Sequence, residues 1–138
     1  MLIFAAETSC DETSICLMRD GEILEHIIFS QEIHKKHGGV VPELASRSHL
    51  ENIQIITKKI LKRNNVDCSE IDIFAATCGP GLIGSLLIGS TFVKSLSLSN
   101  NKPFIPINHL EGHIHSTSYN NKVKKPHLIL LLTGGHTQ

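Results

Sequence analysis

Leu2-Ile-Phe-Ala-Ala-Glu7, Thr13-Ser-Ile-Cys-Leu-Met18 and Glu22-Ile-Leu-Glu-His-Ile-Ile-Phe-Ser30 are three mainly apolar runs with short polar breaks between them, and they decide the fold. Each is a short apolar run of the length that suits a strand. Arg19-Asp20-Gly21 supplies a tight turn between the second and the third. Three strands joined this way predict an antiparallel meander at the start of the chain.

Beyond the meander, Lys35-Lys36-His37-Gly38-Gly39 reads as an exposed loop, with His34 and His37 expected in solvent. Pro42 opens a helical pattern in which Leu50, Ile53, Ile56, Ile60 and Leu61 share a face, and Asn64-Asn65 stops it. Ile71 to Thr77 is the next strand, followed by the Gly79-Pro80-Gly81 turn. A helix is expected from about Leu82 to Leu98, apolar nearly all round and therefore placed in the core. After the turn Asn100-Asn101-Lys102-Pro103 come a strand, Phe104 to Ile107, and a helix, His109 to Tyr119. A polar linker, Asn120 to Lys125, leads to a last expected strand, His127 to Leu132. The order βββ-α-β-α-β-α-β predicts an α/β domain, a mixed sheet with flanking helices.

At 138 residues there is room for one ordinary domain. A 41% hydrophobic share is enough for a core. Lys plus Arg (13) balance Asp plus Glu (13), so the whole chain offers no basic field for gripping nucleic acid. Such binding would need a local patch or a partner. Four cysteines, Cys10, Cys16, Cys68 and Cys78, include no Cys-x-x-Cys pair, which favours reduced thiols and a cytoplasmic setting. The apolar start meets Glu7 too soon for a signal peptide. Ile73 to Val93 carries no charge, but its glycines, proline and hydroxyls argue for a strand, a turn and a helix, and no membrane span is expected.

Four segments are able to carry chemistry. His109-Leu-Glu-Gly-His113 places two imidazoles four residues apart on one helical face, where both could bind one metal. The acid stands third, so the zinc-protease mechanism of His-Glu-x-x-His does not follow. Two ordinary surface histidines would show the same spacing, and a metal needs a further ligand from elsewhere. Glu7-Thr-Ser-Cys-Asp-Glu-Thr13 is a polar turn whose amides, hydroxyls and carboxylates could hold a phosphate or its cation, or simply join two strands. Gly79-Pro-Gly-Leu-Ile-Gly84 matches G-x-G-x-x-G in letter. No acid follows about twenty residues on, so a close backbone approach at a helix N-terminus explains it better than a dinucleotide site. Thr133-Gly-Gly-His-Thr137 allows a ligand near the backbone, and a turn serving only the fold would look alike.

Together with Gly38-Gly-Val-Val-Pro-Glu-Leu-Ala-Ser-Arg47, these segments occur in the order and spacing of one family. The chain closely resembles the TsaD family, the tRNA N6-adenosine threonylcarbamoyltransferases once called glycoproteases, from Met1 to Gln138. The resemblance implies the N-terminal lobe of an actin-like ATPase fold, the superfamily of sugar kinases and Hsp70. It implies transfer of a threonylcarbamoyl group from threonylcarbamoyl-AMP to N6 of the adenosine beside the anticodon, in tRNAs reading codons that begin with A. It implies one divalent metal, iron or zinc, on His109 and His113, with an aspartate from a second lobe completing the site. Leu131, Leu132, Thr133, Gly134, Gly135 and His136 are the implied contacts to the adenylate, and Asp11 and Glu12 the implied site residues near its phosphate. A TsaB-like paralogue and a TsaE-like ATPase are the implied partners.

Two departures from the family pattern stand out. Thr133 replaces the usual Ser and keeps the hydroxyl. Family members are also more than twice this long, so the second lobe and its share of the active site are expected to be missing from this chain. The competing expectation is a non-catalytic remnant or a binding platform, with the helix Leu82 to Leu98 and the Ile53/Ile56/Ile60 face available to the TsaB-like paralogue; a separate C-terminal lobe is a further expected partner. A sugar or acid kinase fits worst, because His109 and His113 would have no role there.

Overall fold

The computed structural model describes residues 1–119, Pro126 and residues 128–131. Five strands form one sheet in the order β3-β2-β1-β4-β5, where β1 is Leu2–Glu7, β2 Glu12–Arg19, β3 Glu22–Ser30, β4 Ile73–Gly79 and β5 Phe104–Asn108. β1, β2 and β3 pair antiparallel, as the meander predicts, while β4 and β5 add in parallel on the other side of β1. Arg19 pairs with Glu22, leaving Asp20 and Gly21 as a two-residue turn with both φ angles positive. That conformation matches the twist of the strands it joins.

Helix α1 is Pro42–Arg63 and helix α2 is Ile83–Ser99. Pro42 opens α1, where its missing N–H costs no hydrogen bond, and Asn65 leaves the helix with φ 52°. Both helices cover one face of the sheet. Phe4, Ala6, Ile15, Leu17, Phe74 and Ala76 meet Ile53, Ile56, Ile60 and Val93 there in the core. Strand alternation sends Ile3, Ala5, Glu7, Ser14, Cys16, Ala75 and Thr77 to the other face. Helix α3, His109–Tyr119, lies over one end of that second face. Among the described residues no helix is long and apolar enough to cross a membrane.

Several expectations need correction. Ile53, Ile56 and Ile60 are packed against the sheet, so this face is not available to a partner. Leu50 falls at the rim of the buried stripe, beside His49, and is 58% exposed. α2 does not lie wholly in the core. Ser85, Leu86, Gly89, Val93 and Ser97 are buried, but Ile83, Leu87 and Leu98 point outward. The loop after β3 contains a 3-10 helix, Glu32–His37, and turns His34 inward. His34 Nε2–H donates to Gln31 Oε1 at 2.8 Å, and its Nδ1 accepts from the Val41 amide at 3.3 Å. Leu128 to Leu131 form no strand, with Leu128 almost fully exposed.

Candidate functional site

The polar turn between β1 and β2 is fastened from two sides. α2 approaches it closely: the Leu82 amide donates to Ser9 O at 2.8 Å, and Thr8 Oγ1 donates to Ser85 O at 2.8 Å. A Cβ on Gly81 would stand 2.8 Å from both the Cβ and the carbonyl oxygen of Ser9, so glycine permits this approach. From the other side, His49 Nε2–H donates to Cys10 O at 3.0 Å and the Gln31 amide donates to Asp11 O at 3.1 Å. Glu12 begins β2, is exposed, and accepts from Ser30 Oγ at 2.7 Å. Asp11 is half-buried in the turn itself.

α3 starts where β5 ends. Asn108 Oδ1 caps it by accepting from the Leu110 and Glu111 amides at 2.9 and 3.3 Å. The Ile23 amide donates to Tyr119 Oη at 3.1 Å and ties the far end to β3. Between helix and sheet lies a cleft of about 390 Å³, lined by Glu7, His26, Thr77, His109, Gly112, His113 and Ser116.

His109 and His113 converge there, with their Nε2 atoms 3.1 Å apart. Two imidazole nitrogens on one tetrahedral ion stand about 3.4 Å apart, so the pair fits two corners of a metal shell. Glu7 Oε1 lies 3.6 Å from His109 Nδ1, within ion-pair range but beyond a hydrogen bond, and accepts from the Ser9 amide at 2.7 Å. Among the described residues no group of three or more His, Cys, Asp or Glu could hold an ion. The pair supplies two candidate ligands and no third among the described residues.

Of the sequence-predicted residues, His109 and His113 come together in this cleft, while Asp11 and Glu12 occupy the neighbouring turn and do not line it. Leu131 is half-buried, and Leu132, Thr133, Gly134, Gly135 and His136 lie outside the described residues. Sequence reasoning gave His26 no role and took Glu7 only as the start of the polar turn. Glu7 was legible only as the last residue of a strand that ends at the site. His26 lies in a strand with no motif, hydrogen-bonded to Ser14 Oγ at 2.7 Å.

The thiol of Cys10 is pushed up to about 11 by partial burial of the sulfur, then by its hydrogen bond to Asp11 and the charges of Asp11 and Glu7. The turn therefore presents carboxylates and amides rather than a thiolate.

A family model described as TsaD, tRNA N6-adenosine threonylcarbamoyltransferase, matches residues 22–138. The chain belongs to the TsaD family. Proteins named tRNA N6-adenosine threonylcarbamoyltransferase from Kosmotoga olearia and Caldicellulosiruptor saccharolyticus are 49% and 50% identical to it. The first match covers 100% of this chain and 42% of the relative, the second 99% and 42%. The chain thus spans less than half the length of these TsaD relatives. Among solved structures, YeaZ from Pseudomonas aeruginosa superposes with a TM-score of 0.61 at 18% identity, covering 78% of this chain and 45% of that one. A P. aeruginosa protein described as similar to peptidase YEAZ reaches 0.69 at 18% identity, covering 86% and 48%. These likenesses bear on the fold alone, which is the mixed sheet with flanking helices that the sequence predicts.

Proposed function

We propose that this chain serves as the N-terminal lobe of a threonylcarbamoyl transferase acting on tRNA. The convergence of His109 and His113 beside Glu7 carries the reading, because a kinase of the same fold would have no use for it. The reaction joins N6 of the adenosine beside the anticodon to the carbonyl carbon of threonylcarbamoyl-AMP. A C–N bond forms, the C–O bond to the phosphate breaks, AMP leaves with the electron pair, and the amine proton is lost.

His109 and His113 would hold a divalent iron or zinc ion, with an aspartate of a second lobe as a third ligand. Such an ion, when bound, supplies Lewis-acid polarisation of carbamoyl or phosphate oxygens. The charge of Glu7, 3.6 Å from His109 Nδ1, would favour a proton on that nitrogen and leave Nε2 for the ion. The turn carrying Asp11 and Glu12 faces the phosphate, and amides at Gly134 and Gly135 complement its charge. TsaB-like and TsaE-like proteins are the proposed partners, and the cytoplasm the proposed setting.

A second reading, a non-catalytic docking lobe, is favoured by the exposed apolar side chains of Ile83, Leu87 and Leu98 on α2. Transfer of labelled threonine from threonylcarbamoyl-AMP to unmodified tRNA separates the two, run with this chain alone and mixed with a matching C-terminal lobe. The enzyme reading expects transfer in the mixture and its loss in His109→Ala. An inert mixture that still binds the paralogue favours the docking lobe.

A further inference from the structure

Thr13, His49, Gln31 and His34 form a buried polar chain behind the turn, and no motif reading used it. All four are buried, His49 completely. The hydrogen bonds fix their roles. Cys10 O can only accept, so His49 Nε2 carries the proton and donates at 3.0 Å. His49 Nδ1 is then free to accept from Thr13 Oγ1 at 2.8 Å. Gln31 receives His34 Nε2–H on its Oε1 at 2.8 Å, so its amide nitrogen points the other way, to Ala45 O and to His49 Nδ1, each at 3.3 Å. The Gln31 backbone amide donates to Asp11 O. Two consecutive carbonyls of the turn, Cys10 and Asp11, are therefore held by one buried chain that continues through His34 to the Val41 amide at the start of α1.

We propose that His49 is a positioning residue that sets the β1–β2 turn, acting as a neutral Nε2–H donor to the Cys10 carbonyl, so that Asp11 and Glu12 are presented in one geometry. The charged form is opposed by burial, which lowers the ring's affinity for a proton; the hydrogen bond to Cys10 and the charges of Glu7 and Asp11 act the other way, and His34 opposes charging. Glu7, Asp11 and His34 are the titratable groups whose charges reach the ring, from β1, the turn and the 3-10 helix. The functional meaning of the turn rests on the transferase reading, but its geometry does not.

The test uses the full chain labelled with nitrogen-15, without substrate, so its failure and that of the transfer reaction are distinguishable. Ring nitrogen resonances should report the Nε2–H tautomer, with His49 titrating below the ordinary imidazole range. Amide exchange is read at Gln31 and Leu82, whose acceptors are Asp11 O and Ser9 O, with Asp72, bonded to Leu2 O, as a distant control. In His49→Phe, exchange at Gln31 and Leu82 should rise about tenfold while Asp72 stays unchanged. His49→Gln keeps a donor near Cys10 and should restore most of the protection. An Nδ1–H tautomer, an ordinary imidazole titration, unchanged exchange in His49→Phe, or no rescue by glutamine would each overturn the proposal. Should His49→Phe fail to fold, Thr13→Val decides. It removes the shorter of the two Nδ1 contacts and leaves that of Gln31, and faster exchange at Gln31 supports the assignment while unchanged exchange overturns it.

Discussion

The hydroxyl of Thr8 occupies the space that a Cβ on Gly89 would take, and it donates to Ser85 O, one turn earlier on α2. The helix and the β1–β2 turn therefore touch backbone to side chain. The hydrogen bond and the missing Cβ are two halves of one contact.

Gly89→Ala should lower stability to urea by roughly 1–3 kcal/mol, because neither the buried strand end nor the helix can easily retreat. Gly112→Ala is the control. It also sits in a helix, but a Cβ there meets nothing within 4 Å. It should be neutral or stabilising by up to about 1 kcal/mol. Equal losses at both positions would mean that helix backbone conformation, not the Thr8 contact, sets the effect.

Acid should destabilise the fold through His49. Its folded affinity for protons is lowered by burial, so below the ordinary imidazole value of 6.5 the unfolded chain binds the proton more readily. Stability is then full above pH 6.5 and falls as the pH drops below it. Urea midpoints between pH 8 and 5 measure this slope, and His49→Gln should flatten it. A wild-type curve without any fall in that window would contradict it.

Cys10 should alkylate slowly despite its exposure. With its thiol raised to about 11, little thiolate exists at pH 8. Iodoacetamide labelling followed by peptide mass analysis should show the rate at Cys10 still rising between pH 8 and 10. Asp11→Asn, which removes the second cause of the shift, should speed it at pH 8. A plateau by pH 9 would count against the environment described.

Cobalt(II) titration of this chain should show weak binding that dialysis removes, since two imidazoles leave half the shell to water. His109→Ala and His113→Ala should each abolish it. A stoichiometric ion surviving dialysis would mean that a third ligand comes from this chain after all.

Much of the fold was legible because it rests on local pattern. Asp20-Gly21 marked the hairpin, Pro42 the start of α1, and the paired asparagines the ends of both long helices. What escaped depends on distant partners. The burial of His34 requires Gln31 and the Val41 amide, and a Lys-Lys-His run beside it says only "solvent". Leu50 and His49 sit side by side on α1, and hydrophobicity assigned the buried place to the wrong one. At the site, the His109/His113 spacing was readable from helical geometry alone. Glu7 was not, because its approach to His109 depends on where β5 and α3 return to the sheet.

Of the five strands, the one that comes earliest in the sequence sits in the middle of the sheet. β1 finds β2 at once, but its other edge pairs with β4, Ile3 against Ile73. At about 5–20 residues per second on the ribosome, that edge stays open for roughly 4–14 seconds. Its backbone groups and the apolar side chains Phe4 and Ala6 are exposed to neighbouring nascent chains meanwhile. Folding of this lobe is therefore a non-local closure with a waiting period, so translation speed and chaperone supply should govern its yield more than the final stability does.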